Sequence, residues 1–126
     1  MKRLLTVIGL GVMLSSFAVL SGLDEVVSAM KSGNTNQITK YFDNTVEITT
    51  PGSSNSYSKD QAERVLIDFF STNSVKSFEV VHKGENSGSQ YCIGTLSTKG
   101  GSYRTTIFMK QKGNQQLLQE LRFESM

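Results

Sequence analysis

The stretch YCIGTLSTKGGSYRTTIFMKQKGNQQLLQELRFE, residues 91–124, decides the fold. Polar residues alternate in it with β-branched and aromatic ones, which is the period-two pattern of β-strands. The pattern is interrupted at KGG and KGN, where glycine permits the backbone of a tight turn. We therefore predict three antiparallel strands joined by two hairpins, with Gly100–Gly101 and Gly113–Asn114 as the turns.

These turns predict a register in which Ile93 faces Phe108 and Phe108 faces Gln119. Apolar side chains then occupy both faces of the sheet, although an antiparallel sheet with one face in water should alternate cleanly between apolar and polar residues. One face offers a mostly apolar small-molecule cavity with Tyr57 at its mouth, lined by Tyr57, Tyr91, Thr95, Arg104, Phe108 and Gln119. The other face carries an apolar patch that indicates a partner surface, formed by Leu96, Tyr103, Ile107, Met109 and Leu118. We expect a homodimer through this second face, and the pattern leaves open which face is concave.

The residues before this stretch predict helices and two further strands, the second of which runs from Val75 to the break at KGENSGS (83–89). LDEVVSAMKSGN (23–34) has apolar residues at helical spacing, and NTNQITKYF (34–42) predicts a short second helix. NTVEITT (44–50) alternates like a strand, and TPGSSNS (50–56) has the composition of a turn. YSKDQAERVLIDFFSTN (57–73) predicts the longest helix, capped by a Ser and Gln at capping-box spacing. The order of these elements, with helices and a strand first and most of the strands last, predicts an α+β domain with one sheet.

The N-terminus has the pattern of a secretory signal peptide. MKRLLTVIGLGVMLSSFAVLSG (1–22) combines a basic start, an apolar stretch and small or polar residues. We predict cleavage after Ser21, with Ala18 or Gly22 as alternatives, so that residues 1–21 form the signal peptide and 22–126 a single domain. The protein is then periplasmic or extracellular and keeps no stable membrane anchor. An uncleaved anchor helix is the competing interpretation.

Export changes the charge of the protein. The full chain has 13 Lys and Arg against 11 Asp and Glu; without Lys2 and Arg3 the counts are 11 and 11. A neutral domain lacks the clustered positive charge of nucleic-acid-binding proteins, so we expect no nucleic-acid partner.

The sequence predicts no catalytic residue, metal or cofactor. His82 and Cys92 are the sole residues of their types, and metal sites need several ligands. We interpret His82 as a surface residue and Cys92 as a buried one. We interpret Asp43 as a turn residue, and Glu47 as a strand residue whose side chain points away from the core.

The quoted segments, with KYFDNTVEITTPG (40–52) and LLQELRFE (117–124), resemble a family of small exported bacterial proteins of unknown function. That family is similar to the nuclear-transport-factor-2-like, or cystatin-like cone, superfamily. The resemblance implies a curved antiparallel sheet wrapped around N-terminal helices and one long helix, a conical cavity, and dimerisation through the outer sheet face. The superfamily includes isomerases and dehydratases, but no local motif here matches their catalytic residues.

Three functions are consistent with these features. The favoured one is a non-catalytic binding domain for a small apolar ligand or an envelope protein. The second is a cone-shaped acid–base enzyme of the isomerase or dehydratase type. The third is an interaction module whose cone is filled by Phe42, Phe70 and Phe108.

Overall fold

The computed structural model describes residues 21–126 and consists of three helices and six strands. The helices are α1 (Gly22–Ser32), α2 (Thr35–Thr39) and α3 (Lys59–Thr72). The strands are β1 (Phe42–Thr50), β2 (Ser53–Ser58), β3 (Val75–Asn86), β4 (Ser89–Thr98), β5 (Gly101–Lys112) and β6 (Gln115–Ser125). Residues 1–20, which hold nearly all of the predicted signal peptide, lie outside the described residues. Within residues 21–126, no helix has the length and apolarity needed to cross a membrane.

Side-chain caps determine where the three helices begin. The hydroxyl of Ser21 accepts a hydrogen bond from the N–H of Asp24 at 3.1 Å, and α1 ends at Gly33, which has φ 67°. Asn34 caps α2 by accepting from the N–H of Gln37. The predicted Ser58 cap of α3 is confirmed, because the Ser58 hydroxyl accepts from the N–H of Gln61. Each cap satisfies a backbone donor that has no partner inside its helix.

The six strands form one sheet in the order β2-β1-β6-β5-β4-β3. β1 and β6 are parallel, and the other neighbours are antiparallel. The predicted α+β class is confirmed. Two local predictions were wrong: residues 53–58 form the edge strand β2, and Phe42 begins β1 instead of ending α2. In both places pairing with a neighbouring strand overrides the local preference for turn or helix.

The first hairpin differs from its predicted register by two residues. Thr98 pairs with Gly101, so the turn is Lys99–Gly100, and Ile93 faces Thr106. The hydroxyl of Thr98 fixes this turn by accepting from the N–H of Gly100 and donating to the carbonyl of Gly101. A shift of two residues leaves each side chain on its predicted face.

The second hairpin has the predicted turn but contains a β-bulge. Met109 pairs with Leu118, whereas the preceding residue Phe108 pairs with Glu120, so Gln119 is the extra residue of β6. Beyond Gln119 every β6 side chain therefore changes face. Leu121 and Phe123, predicted beside the cavity residues, instead lie on the opposite face.

The face that receives them, here called the inner face, packs against the helices. It supplies most of the sheet's contribution to the core, including all five residues predicted for the dimer interface: Leu96, Tyr103, Ile107, Met109 and Leu118. Four of these side chains are fully buried within one chain, and Tyr103 is 9% exposed. The prediction that they form a partner surface was wrong, because the bulge and the helices complete a core around them. The concave side of the sheet is thus the inner face.

Candidate functional site

The outer face of the sheet is organised in rows of cross-strand neighbours. One row runs Glu79, Thr95, Arg104 and Glu124 across four strands. The next row contains His82, Ile93, Thr106 and Arg122, and the one after it Gly84, Tyr91, Phe108 and Glu120. Tyr91, Thr95, Arg104 and Phe108 of the predicted cavity therefore lie on the convex outer face, outside the cone.

A depression of about 410 Å³ lies at one end of this face, and we call it the outer patch. Its lining residues are Val81, His82, Ile93, Gly94, Thr95, Arg104 and Met126. Val81 is 69% exposed and Met126 is 75% exposed, so two largely exposed apolar side chains line the same depression. The structure thus brings Thr95 and Arg104 together, as predicted, but in a surface depression.

Tyr91 and Phe108 lie next to the outer patch as a cross-strand aromatic pair. The Tyr91 ring covers Gly84 so closely that a Cβ at Gly84 would lie 2.2 Å from it. The Tyr91 hydroxyl also lies 3.1 Å from Nε2 of His82, which is exposed as predicted. Gly84 therefore keeps the aromatic side chain flat against the sheet, where it extends the apolar surface of the outer patch.

Gln119, the last residue of the predicted cavity, forms a hydrogen bond with Asp43. Its amide donates to Oδ2 of Asp43 at 3.0 Å, and Nζ of Lys112 lies 2.7 Å from the same oxygen. The N–H of Asn44 donates to Oδ1 of Asp43. The ion pair with Lys112 and then the Gln119 hydrogen bond lower the pKa of Asp43 to about 2. This carboxylate is permanently ionised at neutral pH and joins β1, β5 and the bulge in β6.

Tyr57, predicted at the cavity mouth, lies in a groove of about 480 Å³ at the edge of the cone. We call this the aromatic groove, because Tyr57, Phe69 and Tyr103 are prominent in its lining. The other lining residues are Thr50, Pro51, Ser53, Val65, Asp68, Thr72 and Asn73. Phe69 stacks on Phe123 with ring centroids 4.4 Å apart and meets Tyr103 edge-on at 5.2 Å. The structure therefore separates Tyr57 from the other predicted cavity residues and gives it different neighbours.

Asn73 is a buried polar residue in the lining of the aromatic groove. Its side-chain oxygen accepts from the Tyr103 hydroxyl at 2.8 Å, and its amide donates to the carbonyl of Phe69 at 3.0 Å. Asn73 and Tyr103 are nearly fully buried. Because their polar groups bond each other, the polar lining left to a ligand comes from Thr50, Ser53, Asp68 and Thr72, beside the three aromatic side chains.

The inside of the cone is filled by the core. Phe42 and Phe70 are buried there, as the filled-cone alternative requires, whereas Phe108 lies on the outer face. Among the described residues, Asp43 is the one carboxylate in the buried class, and it is paired with Lys112. Residues 21–126 contain no cluster of three or more His, Cys, Asp or Glu able to hold a metal.

Sequence reasoning missed Val81, Met126 and the aromatic lining of the groove. The sequence does contain one signal of the bulge in β6. Leu118 and Leu121 are three residues apart, whereas Leu121 and Phe123 are two residues apart. In a regular strand, apolar residues on one face keep even spacing. The three-residue spacing between Leu118 and Leu121 therefore indicates that one extra residue lies between them.

Comparison with known proteins identifies the family of this chain and structures with a similar fold. A family model described as "Domain of unknown function (DUF4783)" matches residues 23–124. The chain belongs to the DUF4783 family. No curated protein matches the sequence.

Two DUF4783 crystal structures are similar to this chain over nearly their whole length. The protein from Bacteroides ovatus is 32% identical, with TM-score 0.78, covering 81% of this chain and 93% of that one. The protein from Bacteroides fragilis is 33% identical, with TM-score 0.76, covering 81% and 96%.

A more distant neighbour shows the wider fold class. An NTF-2 like protein of unknown function from Burkholderia xenovorans is 13% identical, with TM-score 0.63, covering 83% of this chain and 81% of that one. This likeness concerns the fold alone. The resemblance of this DUF4783 sequence to the cone superfamily, with its curved sheet, is confirmed.

Proposed function

We propose that this DUF4783 protein is an exported, non-catalytic binding domain that pairs with a second copy through the outer face of its sheet. The outer patch is the observation that carries the proposal. Val81 and Met126 expose most of their apolar surface there, beside the half-buried Ile93. Covering such side chains contributes about 25 cal/mol per Å² of apolar surface removed from water.

The charges around the outer patch favour a second copy as the occupant. The outer face carries both signs, with Arg104 and Arg122 next to Glu79, Glu120 and Glu124 in the same or adjacent rows. A two-fold interface brings the same surface of both subunits together, so it requires a surface complementary to itself. A face with both signs meets that requirement, whereas a face of one sign would repel its copy.

The chemistry of the described residues favours binding over catalysis. An acid–base site needs titratable groups that converge on a cavity. Here the buried carboxylate Asp43 is neutralised by Lys112, and the buried Tyr103 hydroxyl is engaged by Asn73. The outer patch and the aromatic groove each carry apolar or aromatic side chains, which suits recognition of apolar groups.

The decisive experiment measures molecular mass in solution for the unchanged mature protein and two variants of it. We expect sedimentation velocity to give a dimer for the unchanged protein and a monomer for Val81→Glu, because two buried carboxylates would face an apolar patch. Ile67→Glu is the matched control: Ile67 is also an exposed apolar residue, 44% exposed, but lies on α3. A monomeric unchanged protein, or a Val81→Glu dimer as stable as the Ile67→Glu dimer, would overturn the proposal.

A second candidate function is supported by the aromatic groove. Three aromatic side chains around about 480 Å³ suit a small apolar or aromatic ligand, the favoured ligand class from the sequence. With the fluorescent probe 1-anilinonaphthalene-8-sulfonate, we expect Tyr57→Ala to weaken binding and Ser56→Ala, at the neighbouring exposed position of β2, to leave it unchanged. Equal affinities of the two variants would contradict this second function.

A further inference from the structure

The start of α1 bears on where the exported chain is cut. The Ser21 hydroxyl caps α1 through Asp24, and the Ser21 carbonyl accepts from the N–H of Glu25 at 3.1 Å. The next N–H, that of Gly22, donates to Oε1 of Gln116 at 3.0 Å and so ties the helix start to β6. Ser21 thus has the contacts of a structural residue of the folded domain.

A cut after Ser21, as the sequence first suggested, would remove this cap. It would also place a new α-amino group on Gly22, the first residue of α1. That group is mostly protonated at neutral pH, and a positive charge at the N-terminal end of a helix opposes the helix dipole. The loss of the cap and the added charge both destabilise α1.

The sequence offers a cut that avoids both costs. Export peptidases prefer small residues at the first and third positions before the cleaved bond. Ser16 and Ala18 satisfy this preference for a cut after Ala18, whereas a cut after Ser21 would have Val19 at the third position. Hydrolysis between Ala18 and Val19 leaves Ser21 in place and moves the α-amino group three residues away from Gly22.

We infer that the export peptidase hydrolyses the bond between Ala18 and Val19, so that the mature protein begins at Val19 and retains Ser21 as the cap of α1. The inference rests on the export included in the proposed function. In this reaction water adds across the peptide C–N bond, giving the Ala18 carboxylate and the Val19 amine. Ser21 then belongs to the mature domain, not to the signal peptide.

Two variants of the full chain, expressed in a bacterial host, separate the possible cuts. A large residue at the position before the cleaved bond blocks cleavage. We therefore expect Ala18→Leu to accumulate the uncut precursor, and Ser21→Leu to be processed at the normal rate. The opposite pattern, with Ser21→Leu blocked and Ala18→Leu processed, would overturn the inference.

Intact mass of the protein recovered outside the cytoplasm gives the direct readout. A mass corresponding to residues 19–126 is expected, and one corresponding to residues 22–126 would overturn the cleavage position while leaving export intact. An uncut mass in the membrane fraction would overturn export and this inference together.

A melting comparison tests the physical reason separately. We expect a chain beginning at Gly22 to melt about 5 °C lower than one beginning at Val19, as the loss of one helix cap implies for a domain of this size. Equal melting temperatures would remove the structural argument for retaining Ser21.

Discussion

The side chain of Asp43, on β1, contacts residues of β5 and β6 and so links three strands. The sequence suggested turn chemistry at Asp43, but Asp43 lies in β1, and its carboxylate accepts a hydrogen bond from the N–H of the next residue, Asn44. Its contacts with Lys112 and Gln119 were beyond sequence reasoning, because those partners lie about 70 residues away and are brought near only by the parallel pairing of β1 with β6. The role of Asp43 therefore follows from the topology and not from its neighbours in the sequence.

Asp43 should make the stability of the protein depend on pH in acid. Its pKa falls from 3.8 to about 2 on folding, so its contribution is complete above pH 4 and is lost as the pH falls toward 2. Allowing for screening by solvent around the half-exposed Lys112, we expect Asp43→Asn to cost about 1 kcal/mol at neutral pH. Urea unfolding from pH 2 to 7 should show a weaker acid dependence for Asp43→Asn than for Glu63→Gln, an exposed control on α3. Identical pH profiles would show that the ion pair contributes nothing.

At the scale of elements, the sequence predicted most of the architecture. The apolar spacing of α1 and α3, the cap of α3 and the strand-like runs of β3 to β6 are local signals, and the structure confirms those elements. β2 was missed because SSNSYS has no apolar alternation; it is held by pairing with β1. The aromatic groove could not be predicted because its lining comes from α3, β2, β5 and the β1–β2 connection, which only the folded chain brings together.

The bulge in β6 has a consequence that a deletion can test. Removing Gln119 from the chain should restore a regular register and turn Leu121 and Phe123 toward the outer face. Exposing two large apolar side chains costs about 2–3 kcal/mol each, which is a large part of the 5–15 kcal/mol typical of whole domains. We expect the deletion variant to be largely unfolded by circular dichroism.

Gln119→Ala is the matched control for this deletion. It keeps the extra residue and loses only the hydrogen bond to Asp43, so we expect a cost of about 1 kcal/mol. If the deletion variant were as stable as Gln119→Ala, the bulge would not be what determines which side chains form the core.

At the scale of the whole molecule, Cys92 reports on opening of the core. It is fully buried on the inner face, and burial raises the pKa of its thiol to about 11. A thiol reagent should therefore react only when the domain opens. We expect Leu96→Ala, which leaves a cavity at a fully buried site, to speed labelling by about 30-fold or more.

Thr95→Ala, one residue away on the outer face, is the control and should change the labelling rate little. The measurement is the mass increase of the protein with time after adding the reagent. Similar acceleration by both substitutions would mean that Cys92 is reached through a local motion of β4.

The position of β6 sets the order in which the domain can be assembled. β6 is the final strand of the chain, yet it lies between β1 and β5 in the sheet, and its side chains Leu118, Leu121 and Phe123 fill the core. In a chain that emerges N-terminus first, β1 cannot join the rest of the sheet until β6 has emerged. The domain therefore cannot complete its sheet or its core before β6 is free, and it then closes around that strand.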